Sequence, residues 1–223
     1  MKKTIFVVGA GNGCGNRVAE KFGKNDFRVV LMSRNADHLA QYEQEFRDKG
    51  IEVYTRVADA ARPETVTKAF DELSELFMHD NPEAALLHGV TGSGKTRVII
   101  ESVKKTLALG KSAIVLIPEI GLTSEAVGIY AAEFGKTLAV VHSMLSIGER
   151  TDTARAIAAG EKRVVIGTRS AVFAPVKDLG LIVIDEEQEH TYKAENTPKF
   201  HARDIARFRC AYHKCVMLLS SAT

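Results

Sequence analysis

Residues 84–96 have the sequence AALLHGVTGSGKT, in which a short apolar run leads into a glycine-rich loop. A second arrangement of this kind stands near the N-terminus, where the apolar residues 5–8 lead into GAGNGCG at 9–15. Each loop follows a predicted strand and opens a predicted helix, so backbone N–H groups and the positive end of a helix face an anion. The N-terminal spacing is typical of dinucleotide binding, and the spacing at 89–96 is typical of triphosphate binding with magnesium.

The loop at 89–96, hereafter the second glycine loop, fits the pattern GxxxxGK followed by Ser or Thr without a mismatch. In this pattern main-chain N–H groups cradle the phosphates and Lys95 reaches the β- and γ-phosphates. The Thr96 hydroxyl joins the magnesium shell. The residues predicted to bind the nucleotide are Gly89, Gly92, Ser93, Gly94, Lys95 and Thr96.

An acidic group follows the most apolar run in the C-terminal half. Residues 181–184 read LIVI, and DEEQ follows at 185–188. A buried strand of this kind delivers its carboxylates to the edge of the sheet at which nucleotides bind. We expect Asp185 to hold magnesium through water, together with Thr96, and Glu186 to orient the attacking water as general base. Lys95 and Glu186 are the predicted catalytic residues.

The composition is that of an ordinary globular protein. Of the 223 residues, 45% are hydrophobic and 26% are charged, and the net charge of +2 is too small to indicate nucleic-acid binding by itself. The three cysteines, Cys14, Cys210 and Cys215, form neither a CxxC pair nor a zinc pattern, which favours the reducing cytoplasm. The apolar run at 5–8 is far too short to span a membrane, so no membrane partner is expected.

Strand-like and helix-like segments alternate along the chain, which predicts an α/β fold with doubly wound, mostly parallel sheets. The predicted strands are 4–9, 28–33, 52–58, 84–89, 112–118, 138–142, 164–168, 181–185 and 215–220. The predicted helices are 14–24, 36–49, 63–78, 94–109, 123–134, 146–159 and 201–213. Pro82, which breaks a helix, marks a joint at 79–83 between a Rossmann-like segment at 1–78 and a P-loop segment at 84–223.

Residues 1–78 resemble the start of a short-chain dehydrogenase/reductase. The residues that carry this resemblance are Gly9, Gly13, Gly15, the pair Ser33-Arg34 and Asp59. The resemblance implies NADP binding, in which the glycines admit the pyrophosphate, Arg34 favours the 2′-phosphate and Asp59 contacts adenine.

The catalytic pair of that family, Tyr-x-x-x-Lys, is absent, because none of the five tyrosines has a lysine four residues later. Hydride transfer is therefore not expected. Two interpretations of the N-terminal loop stay open: it binds NADP without catalysis, or its glycines serve only to pack helix 14–24 closely against the preceding strand.

Residues 84–223 resemble the first RecA-like ATPase lobe of the PriA family of replication-restart DNA helicases. The matching stretches, in the family's order, are LHGVTGSGKT at 87–96, PEIGLT at 118–123, GTRSAVFAP at 167–175, DEE at 185–187, YK at 192–193, HARD at 201–204 and SAT at 221–223. Gln188 departs from the family, because many relatives carry His there.

This second resemblance implies contacts with single-stranded DNA. Segments 118–123 and 167–171 are expected as loops at strand ends, and 192–203 resembles the family's aromatic-rich loop, which links DNA contact to hydrolysis. The residues implied in DNA contact are Arg169, Tyr192, Lys193 and Arg203.

The chain ends at the motif that closes the first lobe of such motors, so we expect neither the second lobe nor its arginine fingers. Efficient hydrolysis and strand separation are then not expected. The leading hypothesis is a synthetic chimera of two nucleotide-binding folds that retains at most binding of ATP with magnesium. The alternatives are a DNA-dependent ATPase fragment, an NADP-binding module and a chimera that binds nothing. The oligomeric state stays open.

Overall fold

The structure is a computed structural model, and it describes residues 3–11, 14–59, 62, 64–66, 68–69, 84–90, 92–195 and 197–222. Two compact units make up the chain. The first consists of Met1–Glu101 with Ser220–Thr223, and the second of Ser102–Leu219. The division falls within one helix, so β4 and the second glycine loop belong to the first unit.

The first unit contains a parallel sheet with strand order β3-β2-β1-β4. Its strands are β1 Thr4–Val8, β2 Arg28–Ser33, β3 Val53–Val57 and β4 Ala84–His88; its helices are α1 Cys14–Gly23, α2 Ala36–Asp48 and the first half of α3 Lys95–Ala108. Helix α2 begins at the Asn35 cap, whose side-chain oxygen accepts the N–H of His38 at 3.0 Å. It buries Leu39, Tyr42 and Phe46, which recur at helical spacing and so face the sheet.

The second unit contains a parallel sheet with strand order β9-β8-β5-β7-β6. Its strands are β5 Ser112–Leu116, β6 Leu138–Val141, β7 Val164–Gly167, β8 Leu179–Ile184 and β9 Val216–Ser221; its helices are α4 Ser124–Phe134, α5 Ile147–Ala159 and α6 Ala202–His213. Every residue of β5 and β7 is buried, as expected for strands covered on both faces.

The α/β class and all nine predicted strands are confirmed. The predicted strand 181–185 begins two residues earlier, at Leu179, and ends before Asp185. Most of the predicted helix 63–78 and all of the joint 79–83 lie outside the described residues, although 64–66 and 68–69 are helical. Among the described residues, the helices are too short or too polar to cross a membrane.

Candidate functional site

The second glycine loop has the backbone of an anion-binding loop. Gly92 and Gly94 adopt φ values of +77° and +94°, which side-chain-bearing residues rarely adopt. The N–H of Ser93 donates to the carbonyl of Val90 at 3.0 Å, and α3 begins at Lys95 directly after the loop. The predicted magnesium ligand Thr96 is exposed at the first turn of this helix, while Thr91 lies outside the described residues. The first turn of α3 therefore follows the loop directly, without an intervening residue.

Lys95 is held at the base of this loop. Its ammonium donates to the carbonyl oxygens of Gly89 at 2.5 Å and Val90 at 3.3 Å, and the residue is only 7% exposed. Next to it, His88 is buried at the end of β4. Burial, and then the charge of Lys95, lower the pKa of the His88 imidazole below its ordinary value of 6.5, so the ring is neutral at neutral pH.

A covered polar atom in the second glycine loop fits a phosphate ligand. The hydroxyl oxygen of Ser93 is buried and has no hydrogen-bond partner among the described residues. An unsatisfied buried hydroxyl is costly, and a phosphate oxygen supplies the missing partner. The loop conformation, the lysine and this hydroxyl together suit a bound polyphosphate. The sequence motif indicated the first two features, but burial of the hydroxyl emerges only from the fold.

The N-terminal loop at 9–15, hereafter the first glycine loop, lies partly within the described residues. Gly9 adopts φ +80°, and its N–H donates to the carbonyl of Met32 at 2.8 Å. A Cβ atom added at Gly15 would lie 3.2 Å from a methyl of Val7, so α1 packs closely on β1 there. Gly13 lies outside the described residues. Close packing of α1 agrees with the interpretation in which the glycines let this helix approach its strand. The interpretation in which the loop binds NADP also stays open.

The two residues predicted to select NADP occupy different environments. Arg34 is exposed at the end of β2, beside the Asn35 cap of α2, where its guanidinium is accessible to a ligand. Asp59 is half-buried, and its carboxylate lies 3.4 Å from the guanidinium of Arg62. Its main chain is held by Thr65, whose hydroxyl accepts the Asp59 N–H at 2.8 Å. Asp59 is thus positioned by neighbours that the sequence analysis did not identify.

In the second unit, the acidic residues follow β8 directly. The N–H of Asp185 donates to the carbonyl of Leu116 at 2.9 Å, which extends the pairing of β5 and β8 by one residue. Glu186 adopts φ +46°, a left-handed conformation that is rare for a non-glycine residue and is found most often at functional sites. Its carboxylate accepts a hydrogen bond from the amide of Gln188 at 2.7 Å. Gln188, the residue that departs from the family pattern, therefore contacts Glu186 directly.

Tyr192 is placed inside the second unit and not on a DNA-binding surface. The residue is 1% exposed, and its hydroxyl lies 2.5 Å from the carbonyl of Asp185 and 3.1 Å from that of Leu116. Burial, and then the charge of Asp185, raise the pKa of the Tyr192 hydroxyl, so it stays a protonated donor. Its ring is thus unavailable for base stacking, and it positions the end of β8 from within.

The other residues implied in DNA contact surround the segment 193–201. Arg169 donates to the carbonyl oxygens of Thr191 at 3.2 Å and Lys193 at 3.1 Å, so its guanidinium supports this segment. The Lys193 side chain is exposed. Arg203, also exposed, pairs with Glu187 at 3.0 Å. Lys193 contacts its neighbours through its main chain, by its carbonyl to Arg169 and by a β-bridge to His201.

An aromatic pair lies beside these cations, formed by Phe200 of the predicted aromatic-rich loop and by Phe173, whose part in it the sequence did not indicate. Phe173 is 53% exposed, and its ring packs edge-on against that of Phe200 at 5.0 Å between centroids. The Phe173 ring also lines a cavity of about 370 Å³ at the carboxyl ends of β6 and β7, together with Arg169 and Ser170. The motif at 167–175 contained Phe173, but its exposure became visible only in the folded chain.

The residues described here do not form a cluster of three or more His, Cys, Asp or Glu suited to a metal ion. The predicted magnesium ligands do not require one, since Thr96 is a hydroxyl and most of the ion's shell comes from phosphate and water.

The fold and the second glycine loop define an α/β protein of the P-loop nucleotide-binding class. Residues 67–223 match the family model for DEAD/DEAH box helicases, and residues 3–96 match that for short chain dehydrogenases. The chain therefore belongs to the DEAD/DEAH box helicase family and carries a dehydrogenase-like segment at its N-terminus. This confirms the two resemblances and the chimeric character of the sequence.

The chain is similar to replication restart protein PriA from several bacteria. It is 44% identical to PriA of Bacillus subtilis (strain 168) over 183 residues, which is 82% of this chain and 23% of that protein. It is 48% identical to PriA of Synechocystis sp. (strain PCC 6803) over 139 residues, 62% of this chain and 17% of that protein. A short-chain dehydrogenase structure from Rhodopseudomonas palustris superposes with a TM-score of 0.41 and 18% identity, covering 99% of this chain and 98% of that one. The chain spans less than a quarter of the length of these PriA relatives.

The two similarities overlap in sequence. Both family models include residues 67–96, and an alignment of 183 residues cannot fit within 84–223, so similarity to PriA extends N-terminal to the predicted joint. The position of the joint at 79–83 stays a prediction.

Proposed function

We propose that the chain is a nucleotide-binding protein whose second glycine loop binds ATP with magnesium. The observation that carries this proposal is the combination of a preformed loop, Lys95 at its base and the unpartnered Ser93 hydroxyl. Asp185 and Glu186 belong to the second unit, and their roles in magnesium binding and in activation of water stay predictions from the sequence.

The test is a thermal-shift titration with a non-hydrolysable ATP analogue and magnesium. At a hundred times its Kd, a ligand that binds only the folded state stabilises it by about 2.7 kcal/mol. For a chain of this size that corresponds to about 5–10 °C. Lys95→Ala should abolish the shift because it removes the cation that contacts the phosphates. Lys21→Ala, an exposed lysine on α1, is the matched control and should keep it. An undiminished shift in Lys95→Ala would refute the assignment.

We propose weak or no ATP hydrolysis and no strand separation. In related motors an arginine finger accelerates hydrolysis about a thousandfold or more, and the residues proposed for this site, Lys95, Asp185 and Glu186, include no arginine. Glu186→Gln should keep analogue binding and remove whatever slow phosphate release the chain has.

An engineered origin and the reducing cytoplasm as compartment are part of the same proposal, supported by the two joined similarities and by the free thiols of Cys210 and Cys215.

Weak binding of single-stranded DNA is the second candidate function, which would make the chain a fragment of a DNA-dependent ATPase. The exposed pair Phe173–Phe200 offers faces for base stacking, and Lys193 beside it offers a phosphate contact. Fluorescence anisotropy with a labelled oligothymidine should show binding that weakens as salt rises. Phe173→Ala should weaken it severalfold, whereas Lys136→Ala, an exposed lysine at a distant loop of the same unit, should not. Equal affinity of the two variants would exclude this surface.

A further inference from the structure

The two glycine loops of the first unit are neighbours. Strands β1 and β4 pair in parallel, with Thr4 opposite Ala85 and Val7 opposite His88, so both strands end at the same level. A Cβ atom added at Gly9 would lie 3.6 Å from the Ser93 Cβ, and one added at Gly89 would lie 2.8 Å from the carbonyl oxygen of Val8. The second loop therefore lies next to the first, and neither Gly9 nor Gly89 could carry a side chain without approaching the neighbouring loop or strand end.

The strand order places both loops at one crevice. In doubly wound sheets a dinucleotide lies across the crevice at which the strand order reverses. In the order β3-β2-β1-β4 this reversal falls between β1 and β4. The loop after β1 is the dinucleotide-type loop, and the loop after β4 is the triphosphate-type loop. Each pattern therefore directs its phosphates to the same part of the sheet edge.

Ser93 lies where the loops meet. Its Cβ is the side-chain atom nearest to a Cβ built at Gly9, and its covered hydroxyl faces the space in which a Gly89 side chain would lie. This hydroxyl has no hydrogen-bond partner among the described residues. Gly9 and Gly89 both lack side chains, so the Ser93 hydroxyl is the side-chain group that lies closest to the place where the loops approach each other.

We propose that the two glycine loops form a single phosphate-binding crevice, in which a magnesium triphosphate and a 2′-phosphorylated dinucleotide exclude each other. This inference rests on the proposed ATP binding by the second loop. Two polyphosphates bound side by side at these neighbouring loops would repel each other through their like charges, so occupancy of one loop disfavours occupancy of the other. Lys95 at the base of the second loop adds positive charge to the shared space.

The experiment is isothermal titration calorimetry of the full chain with NADPH in the presence of rising concentrations of the magnesium ATP analogue. Each ligand is first titrated alone. Competitive exclusion predicts that the apparent Kd for NADPH rises in proportion to analogue concentration, and reaches about tenfold at nine times the analogue's own Kd. An unchanged Kd for NADPH at saturating analogue would overturn the proposal, as would failure of NADPH to bind the chain alone.

Two variants assign the ligands to their loops. Arg34→Asp should abolish NADPH binding and leave the analogue unaffected, while Arg47→Asp is the control, because it makes the same charge change on an exposed side chain at the far end of α2. Lys95→Ala should lose the analogue, and its Kd for NADPH should then be independent of analogue concentration. If the analogue fails to bind the unmodified chain, the proposed function is refuted together with the exclusion. If each ligand binds alone and both bind together, the exclusion alone is refuted.

Discussion

At the scale of single residues, Tyr192 shows what a motif can and cannot indicate. In the sequence, Tyr192 follows the acidic residues at 185–187 by a few positions. A tyrosine side chain is equally suited to stacking on a base and to donating a hydrogen bond in the interior. Only the fold decides between these uses, because the Tyr192 hydroxyl reaches the carbonyl of Asp185, just after β8, and that of Leu116 in β5, 76 residues earlier in the chain. The left-handed backbone of Glu186 was equally invisible, since no glycine or asparagine marks it.

Tyr192→Phe should lower the free energy of unfolding by about 1–2 kcal/mol, because two buried carbonyl oxygens lose a shared donor. The measurement is urea unfolding followed by circular dichroism. Tyr212→Phe, at a residue that is 76% exposed, is the matched control and should change stability little. Equal effects of the two substitutions would show that the Tyr192 hydroxyl contributes nothing to the native state.

At the scale of elements, the chain was largely predictable. Strands β5 and β8 are largely apolar, and helix α2 carries its apolar residues at helical spacing, so the nine strands and six of the seven predicted helices followed from pattern alone. The seventh, 63–78, lies mostly outside the described residues. The ends of helices were harder to predict, because a cap depends on side-chain contacts within a single turn. Helix α5 begins with a capping box, in which the Ser146 hydroxyl accepts the N–H of Glu149 and the Glu149 carboxylate accepts the N–H of Ser146.

Ser146→Ala should destabilise the chain by about 1 kcal/mol because it opens this box. Ser124→Ala, one residue inside the exposed start of α4, serves as control and should have little effect in the same urea titration. The hydrogen bonds from Ser146 lower the pKa of Glu149 below 4.5. The part of the box that the Glu149 carboxylate forms is therefore fully present above pH 4.5 and weakens as pH falls through the lowered pKa, whereas the bond from the Glu149 N–H to the Ser146 hydroxyl does not titrate. A destabilisation that persisted unchanged far below that pH would contradict this assignment.

At the scale of the whole molecule, sequence similarity and packing divide the chain at different places. The sequence predicts a joint at 79–83, between segments of different ancestry, whereas the compact units divide after Glu101. No local pattern could reveal this, because the partner of β4 is β1, about 80 residues earlier. The side-by-side position of the two glycine loops depends on the same long-range pairing, so the shared crevice could not be inferred from either motif.

A chain of residues 84–223 alone should therefore be unstable. Removal of β1 leaves the backbone groups of β4 without partners on one side and exposes Leu87, which is fully buried. We expect the melting midpoint to fall by about 10 °C or more relative to residues 1–223, or the cooperative transition to disappear. Circular dichroism melts of the two chains provide the comparison. Matching midpoints with equal cooperativity would show that the PriA-like segment folds without its N-terminal neighbour.

The ladder between β1 and β4 has a consequence for how new proteins arise by recombination. Its hydrogen bonds are formed by the main chain, which is the same in every family, so a strand of one lineage can pair with a strand of another without matched side chains. Where two such strands pair, both must be apolar. The loops that follow them must also carry small residues where they approach each other, as Gly9 and Gly89 do here. Segments of unrelated parallel-sheet proteins can thus be joined by recombination at such a pair of strands with few accompanying mutations.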